Sequence, residues 1–360
     1  NRAIHGFGTA AQFYFGKPIS ELSTSQQALL IGLIKGPSVF DPRRFPERAL
    51  ERRNLVLQLS ASLGVISEQQ KVMASSAALS VPKQPADRIG RFPGYVAIVR
   101  RELAQDYTSE QLTADGLSVY TAFDPQIHRG LDQGRKNALT RLKATSLDSQ
   151  GEVQLGAIMV DIPTGEIQAV LAGRDQRLGF HRVLDARRQI GSLVKPFVVA
   201  AAIEQDPRLH AGTLVRDETI SIEDDRGNVW TPKNYDEKEL GIVRLESVVA
   251  SSINQATVHL AFGLGLDQIL DRLDDLGIPV GPTRPPATLL GVSELSPYQV
   301  AQRYQFLLNQ GHQAPLKAVR TVVDDAGSVL TRRPFRSSRL MTARAAVQVD
   351  HMMRVGAKVG

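Results

Sequence analysis

With 360 residues, of which 42% are hydrophobic and 22% charged, the chain has an ordinary globular composition and room for two or three domains. The net charge of +6 is mild, and pairs such as Arg43-Arg44, Arg52-Arg53 and Arg332-Arg333 form no basic stripe, so no nucleic-acid partner is expected. Zero cysteines exclude disulfides, thiolate metal sites and cysteine nucleophiles, and the seven histidines show no ligand spacing, so neither metal nor cofactor is expected.

The first 80 or so residues read as helical. Thr9 to Phe15 is an apolar segment ended by Gly16 and a Lys17-Pro18 break. Ser23-Thr24-Ser25 supplies N-cap candidates for Gln26 to Ile34, which stops before Gly36-Pro37. The helical pattern resumes from Phe45 to Met73. The best apolar run, Ala28 to Ile34, is far short of the roughly 18 residues that span a bilayer. The chain opens on Asn1-Arg2-Ala3 with neither an initiator Met nor a signal peptide, which reads as a fragment of something longer. Ser80 to Pro93, with Pro82, Pro85 and Gly90, reads as a linker. A helix-like stretch (Tyr95 to Gln105), an alternating strand (Leu117 to Phe123) and a basic helix (Pro125 to Leu142) follow.

A further domain begins near Gln154. Leu155 to Asp161 and Ile167 to Gly173 read as two strands joined by the turn Pro163-Thr164-Gly165-Glu166. Next comes Ser192-Leu193-Val194-Lys195, and its continuation from Phe197 to Ile203 is apolar enough for a buried helix. A serine hydroxyl needs a base within hydrogen-bond reach before it can attack at neutral pH. The i, i+3 spacing puts Ser192 and Lys195 on one helical face, and burial with neighbouring positive charge would push the lysine toward its neutral form. Ser192 at a helix N-terminus would also gain from backbone N–H groups aimed at an oxyanion. A second S-x-x-K, Ser80-Val81-Pro82-Lys83, is rejected because its prolines keep it extended. Ser252-Ile253-Asn254 adds a hydroxyl able to relay a proton and an amide able to orient the lysine and a substrate carbonyl. Taken alone, this tripeptide also reads as a polar loop between two helices. The set S-x-x-K with S-x-N belongs to known serine acyl-transfer motifs.

These residues resemble the bifunctional class A penicillin-binding proteins of the Gram-negative 1b type over essentially the whole chain. The resemblance is carried by Ala186 to Pro196, Ser252 to Val258, Gly227 to Tyr235 and Leu289-Leu290-Gly291 with Leu295-Ser296-Pro297. Upstream it rests on Tyr14 to Lys17, Ala28 to Leu33 and Arg52 to Leu57. It implies an α+β, multi-domain chain: residues 1–80 as the C-terminal helical part of a glycosyltransferase domain, 81–150 as a linker region, and 151–360 as a penicillin-binding transpeptidase domain with an antiparallel sheet flanked by helices. The implied reaction is D,D-transpeptidation of peptidoglycan stem peptides, with Ser192 as nucleophile, Lys195 as its base, Ser252 as proton relay and Asn254 positioning substrate. Further implications are a lipid-linked precursor, β-lactam antibiotics as inhibitors, cell-wall synthesis partner proteins, and a periplasmic location at the inner membrane through an N-terminal anchor absent from this chain.

Two departures bear on that reading. The family's third transpeptidase motif, K-T-G, is not among the 360 residues, and Lys358-Val359-Gly360 is its nearest approach. Glu21, Glu47 and Glu51 match none of the family's glycosyltransferase glutamate motifs and read as helix-surface carboxylates. The missing K-T-G keeps alive a catalytically incomplete scaffold or sensor. A serine β-lactamase is the remaining rival, and nothing resembling its deacylating base is present.

Overall fold

The computed structural model describes residues 6–82, 92–114, 116–144, 148, 153–174, 180–223 and 227–359. The chain divides into two compact units, Asn1–Phe92 and Pro93–Gly360. In the first, α1 (Phe7–Phe15) is followed by α2 (Thr24–Leu33), whose N-terminus is closed by a reciprocal Ser23–Gln26 capping box. The single helical pattern expected over 45–73 is two helices, α3 (Pro46–Ser62) and α4 (Glu68–Ser76). Gly64, at φ +73°, ends the first, and a second capping box, Ser67–Gln70, starts the next. Arg53 is fully buried, and its guanidinium donates to Ser25 Oγ (3.0 Å), Ser75 O (2.7 Å), Ala77 O (2.5 Å) and Asn54 Oδ1. One side chain thereby ties α2, α3 and the end of α4 together.

The second unit starts with α5 (Pro93–Leu103), α6 (Ser109–Ala114), β1 (Ser118–Thr121) and α7 (Pro125–Ala144). The expected hairpin is present as β2 (Ala157–Val160) and β3 (Ile167–Leu171), in antiparallel register from Ala157↔Leu171 to Val160↔Ile167. Gly165 in its turn sits at φ +70°, and an added Cβ would lie 2.6 Å from Ala314 O, so only glycine fits. Then come α8 (Arg182–Asp185), β4 (Arg188–Gln189), a 3₁₀ turn (Gly191–Val194) and α9 (Lys195–Gln205).

Four short strands follow: β5 (Leu214–Asp217), β6 (Ile222–Glu223), β7 (Val229–Trp230) and β8 (Gly241–Arg244). They lead into α10 (Leu245–Ala250), α11 (Asn254–Leu264) and α12 (Leu266–Asp275). After a 3₁₀ helix (Pro286–Leu290), the chain ends with β9 (Glu294–Leu295), α13 (Pro297–Leu308), β10 (His312–Gln313), β11 (Val319–Val323), β12 (Val329–Arg332), β13 (Ser338–Arg339) and α14 (Ala343–Val359).

β11 is the centre of an antiparallel sheet ordered β1-β11-β12, and the Ile167 N–H of β3 donates to Lys317 O beside it at 2.8 Å. Helix α9 is the hub of the helical layer. Its residues from Phe197 to Ile203 are all buried, and it packs against α10, α11, α12 and α14. A helix apolar on every side can only be a core helix. At about 1.5–3 kcal/mol per fully buried large apolar side chain, Phe197, Val198, Val199 and Ile203 anchor it firmly. This rigid hub is what carries Lys195.

Candidate active site

Ser192 lies in the 3₁₀ turn and Lys195 opens α9, with the Lys195 backbone N–H donating to Ser192 O. In a 3₁₀ turn the side chains at i and i+3 eclipse, so the two residues share a face even more closely than α-helical spacing gives. Pro196 sits in the first turn of α9, where its missing N–H leaves no gap. The turn is zipped to a distant segment: β4 pairs with β9, Ile190 N–H donates to Ser293 O (3.0 Å), and Gly191 N–H donates to Gly291 O (2.9 Å). The approach is so close that a Cβ on Gly291, at φ +84°, would lie 2.0 Å from Gly191 O. Tyr304 adds a brace from α13, its hydroxyl donating to Leu193 O at 3.0 Å while its ring meets Phe197 edge-on at 5.2 Å.

Ser192 is exposed at this surface, whereas Lys195 is 1% exposed. The Lys195 ammonium donates to Ser252 Oγ (3.0 Å), Asn254 Oδ1 (2.5 Å) and Ser252 O. Three donors thus meet three neutral oxygens, and among the described residues no carboxylate is paired with the lysine. Burial alone pushes its pKa down from 10.5 to about 8, without the help from neighbouring positive charge that the sequence suggested. Lys195, Ser252 and Asn254 are therefore in direct contact. Ser192 joins them through the shared turn, and among the described residues no hydrogen bond links its hydroxyl to the other three.

The Ser252–Asn254 segment is indeed a loop between two helices, and its form explains its usefulness. Ser251 ends α10, Ser252 N–H donates to Val249 O (3.3 Å), and Ile253 N–H donates to Val248 O (3.1 Å). These two bonds make a Schellman cap, with Ser252 in the left-handed position at φ +56° that glycine usually occupies. Ile253, 5% exposed, plugs the cap into the core, and Asn254 begins α11. A tight reversal thus aims the Ser252 hydroxyl, the Ser252 carbonyl and the Asn254 amide at one point. The rejected Ser80 lies outside any helix at φ +49°, and Lys83 falls outside the described residues.

A family model for the penicillin-binding protein transpeptidase domain matches residues 155–360, which include Ser192, Lys195, Ser252 and Asn254. The chain belongs to the penicillin-binding protein transpeptidase family. A transglycosylase model matches residues 1–61. Penicillin-binding protein 1B of Vibrio cholerae is 39% identical over 99% of this chain and 46% of its own length; that of Escherichia coli K12 is 35% identical over 95% and 41%. The chain thus spans less than half the length of these relatives. Penicillin-binding protein 1A from Haemophilus influenzae shares the fold with a TM-score of 0.77 at 19% identity, covering 98% of this chain and 70% of that one.

Within this penicillin-binding fold, the nearest approach to K-T-G does not sit on a strand: Lys358 is in the last turn of α14. The sequence reading missed a buried polar cluster behind the Ser252–Asn254 turn, made of Asp217, Asn234 and Gln255. Asn234 lies inside the Gly227–Tyr235 segment that carried part of the resemblance, so a signal was present without its mechanism. Gly291 was likewise noticed only as part of a matching stretch.

Proposed function

We propose that this chain carries the transpeptidase site of a peptidoglycan D,D-transpeptidase, within a bifunctional cell-wall synthase. Ser192 Oγ attacks the carbonyl carbon of the penultimate D-alanine of a stem peptide, and its proton passes to neutral Lys195 Nζ. Collapse of the tetrahedral intermediate breaks the C–N bond, and the proton reaches the departing D-alanine amine through Ser252 Oγ. The acyl-serine then passes to an amine on a second strand, whose surplus proton returns along the same route. Asn254 holds the lysine and the substrate amide. A β-lactam enters the first step and stops there, because its cleaved amide nitrogen stays tethered.

The observation that carries this reading is the lysine. A buried amine with pKa near 8 and no carboxylate partner among the described residues is costly for structure alone, but suits a base that must be partly neutral at pH 7. Its contact with Ser252 and Asn254 supports the relay. The implied site of action is the periplasmic face of the inner membrane, with lipid-linked precursor and cell-wall synthesis proteins as partners.

The test is the intact mass of the protein before and after incubation with a penicillin, with the adduct mapped by peptide sequencing. A stable adduct on Ser192, lost in Ser192→Ala and retained in Ser80→Ala, is expected. Sustained penicillin hydrolysis would favour a β-lactamase. No adduct at all would favour a penicillin-binding scaffold or sensor without turnover.

A further inference from the structure

Helix α11 has no cap of its own: its N-cap is Ile253, whose side chain cannot accept a hydrogen bond. The missing acceptor comes from elsewhere in the chain. Asn234 Oδ1 receives the backbone N–H groups of both Asn254 (2.9 Å) and Gln255 (3.1 Å), using both lone pairs. The other end of the same amide is fixed just as firmly. Asn234 Nδ2 donates to Asp217 Oδ1 (2.8 Å) and Oδ2 (3.1 Å), to Lys238 O (2.8 Å) and to Gln255 Oε1 (2.9 Å). Asp217, fully buried, also accepts the Leu240 N–H at 2.9 Å.

An asparagine amide can face two ways, and its neighbours decide which. A carboxylate only accepts, so Asp217 forces the Nδ2 end toward itself and the Oδ1 end toward α11. Meanwhile Asn254 Nδ2 donates to Lys233 O at 2.7 Å, from the residue just before Asn234. The segment Lys233-Asn234 therefore grips Asn254 by its backbone and by its side chain. What remains to Asn254 is its Oδ1, and that is the atom meeting Lys195 Nζ. The same grip fixes the exit of the reversal whose preceding residue is the left-handed Ser252.

Building on the transpeptidase reading above, we infer that Asn234, oriented by Asp217, is a positioning residue that aims Ser252 and Asn254 at Lys195. It touches neither the lysine nor the nucleophile and acts through the turn. Losing it frees two backbone N–H groups and one side-chain anchor at the entrance to α11. A misplacement of about 1 Å costs on the order of 10²-fold in rate.

The experiment is the second-order rate of Ser192 acylation by a fluorescent penicillin, in the wild-type chain and in Asn234→Ala, Asn254→Ala and the double variant, with thermal melting alongside. Asn234→Ala should slow acylation about 10²-fold while still melting cooperatively. In the Asn254→Ala background the same change should cost less than about 10-fold, because its main lever is already gone. Equal slowing in both backgrounds, or an Asn234→Ala rate within about 3-fold of wild type, would overturn the inference while leaving the transpeptidase reading intact. Absence of any wild-type adduct would overturn both. Should Asn234→Ala fail to fold, Asp217→Asn keeps the volume but sets a donor against the Leu240 N–H or Asn234 Nδ2. A slowing of about 10-fold is then expected, and an unchanged rate refutes the role.

Discussion

Ser252 pairs backbone strain with a useful hydroxyl, and two substitutions separate them. At φ +56° a residue with a Cβ is strained by about 1–2 kcal/mol, a cost glycine avoids. Glycine loses some of that advantage through the extra freedom of its unfolded chain, about 0.5–1 kcal/mol. Ser252→Gly and Ser252→Ala both delete the 3.0 Å hydrogen bond from Lys195 Nζ, so that loss cancels when the two are compared. The remainder favours the glycine variant by roughly 0.5–1 kcal/mol, or about 1–4 °C in melting temperature for a unit of this size. Thermal melting at one pH, with penicillin acylation rates on the same samples, reads both properties. The glycine variant should melt above the alanine variant, and both should acylate far more slowly than wild type. Equal melting temperatures would refute the claim that strain is held at Ser252. Wild-type acylation in Ser252→Gly would remove the hydroxyl from the proton route.

Three further expectations concern Lys195 and the turn that carries it. Because only neutral Lys195 can accept the Ser192 proton, acylation should fall about 10-fold for each pH unit below about 8 and level off above it, and a flat profile down to pH 6 would exclude Lys195 as the base. The same lowered pKa makes the folded state bind fewer protons than the unfolded chain between about 8 and 10.5, so this residue's contribution raises stability with pH across that window by about 3 kcal/mol, leaving its full penalty in place below about 8. Comparing denaturant midpoints of wild type and Lys195→Met across that window checks it. Gly291→Ala should cost roughly 2–4 kcal/mol and slow acylation, since its Cβ would lie 2.0 Å from Gly191 O at a left-handed φ; a melting temperature matching wild type would show that the 291–191 contact is looser than described.

Features written in local periodicity were the legible ones. The apolar run after Lys195 announced α9, apolar stretches on either side of the turn Pro163-Thr164-Gly165-Glu166 announced the β2–β3 hairpin, and the serines at 23–25 announced the cap of α2. Spacing also brought forward Ser192, Lys195, Ser252 and Asn254. The break at Gly64 was less legible, because one helical pattern runs through both α3 and α4.

What stayed hidden is what depends on residues far apart in the chain, and there the local rules point the wrong way. A Schellman cap calls for glycine at the left-handed position, yet Ser252 stands there. A helix N-terminus calls for a polar cap, yet α11 has Ile253 and borrows Asn234 from 20 residues upstream. A buried lysine calls for a carboxylate, yet Lys195 meets three neutral oxygens. Each departure has a counterpart in the proposed chemistry: glycine would carry no hydroxyl, a polar cap at position 253 would give up the apolar plug that holds the turn, and a carboxylate would keep the lysine charged. Conflicts between local preference and observed structure are expected where function outweighs stability. Here three of them converge on a single amine, a stronger argument for where the chemistry lies than any one motif supplies.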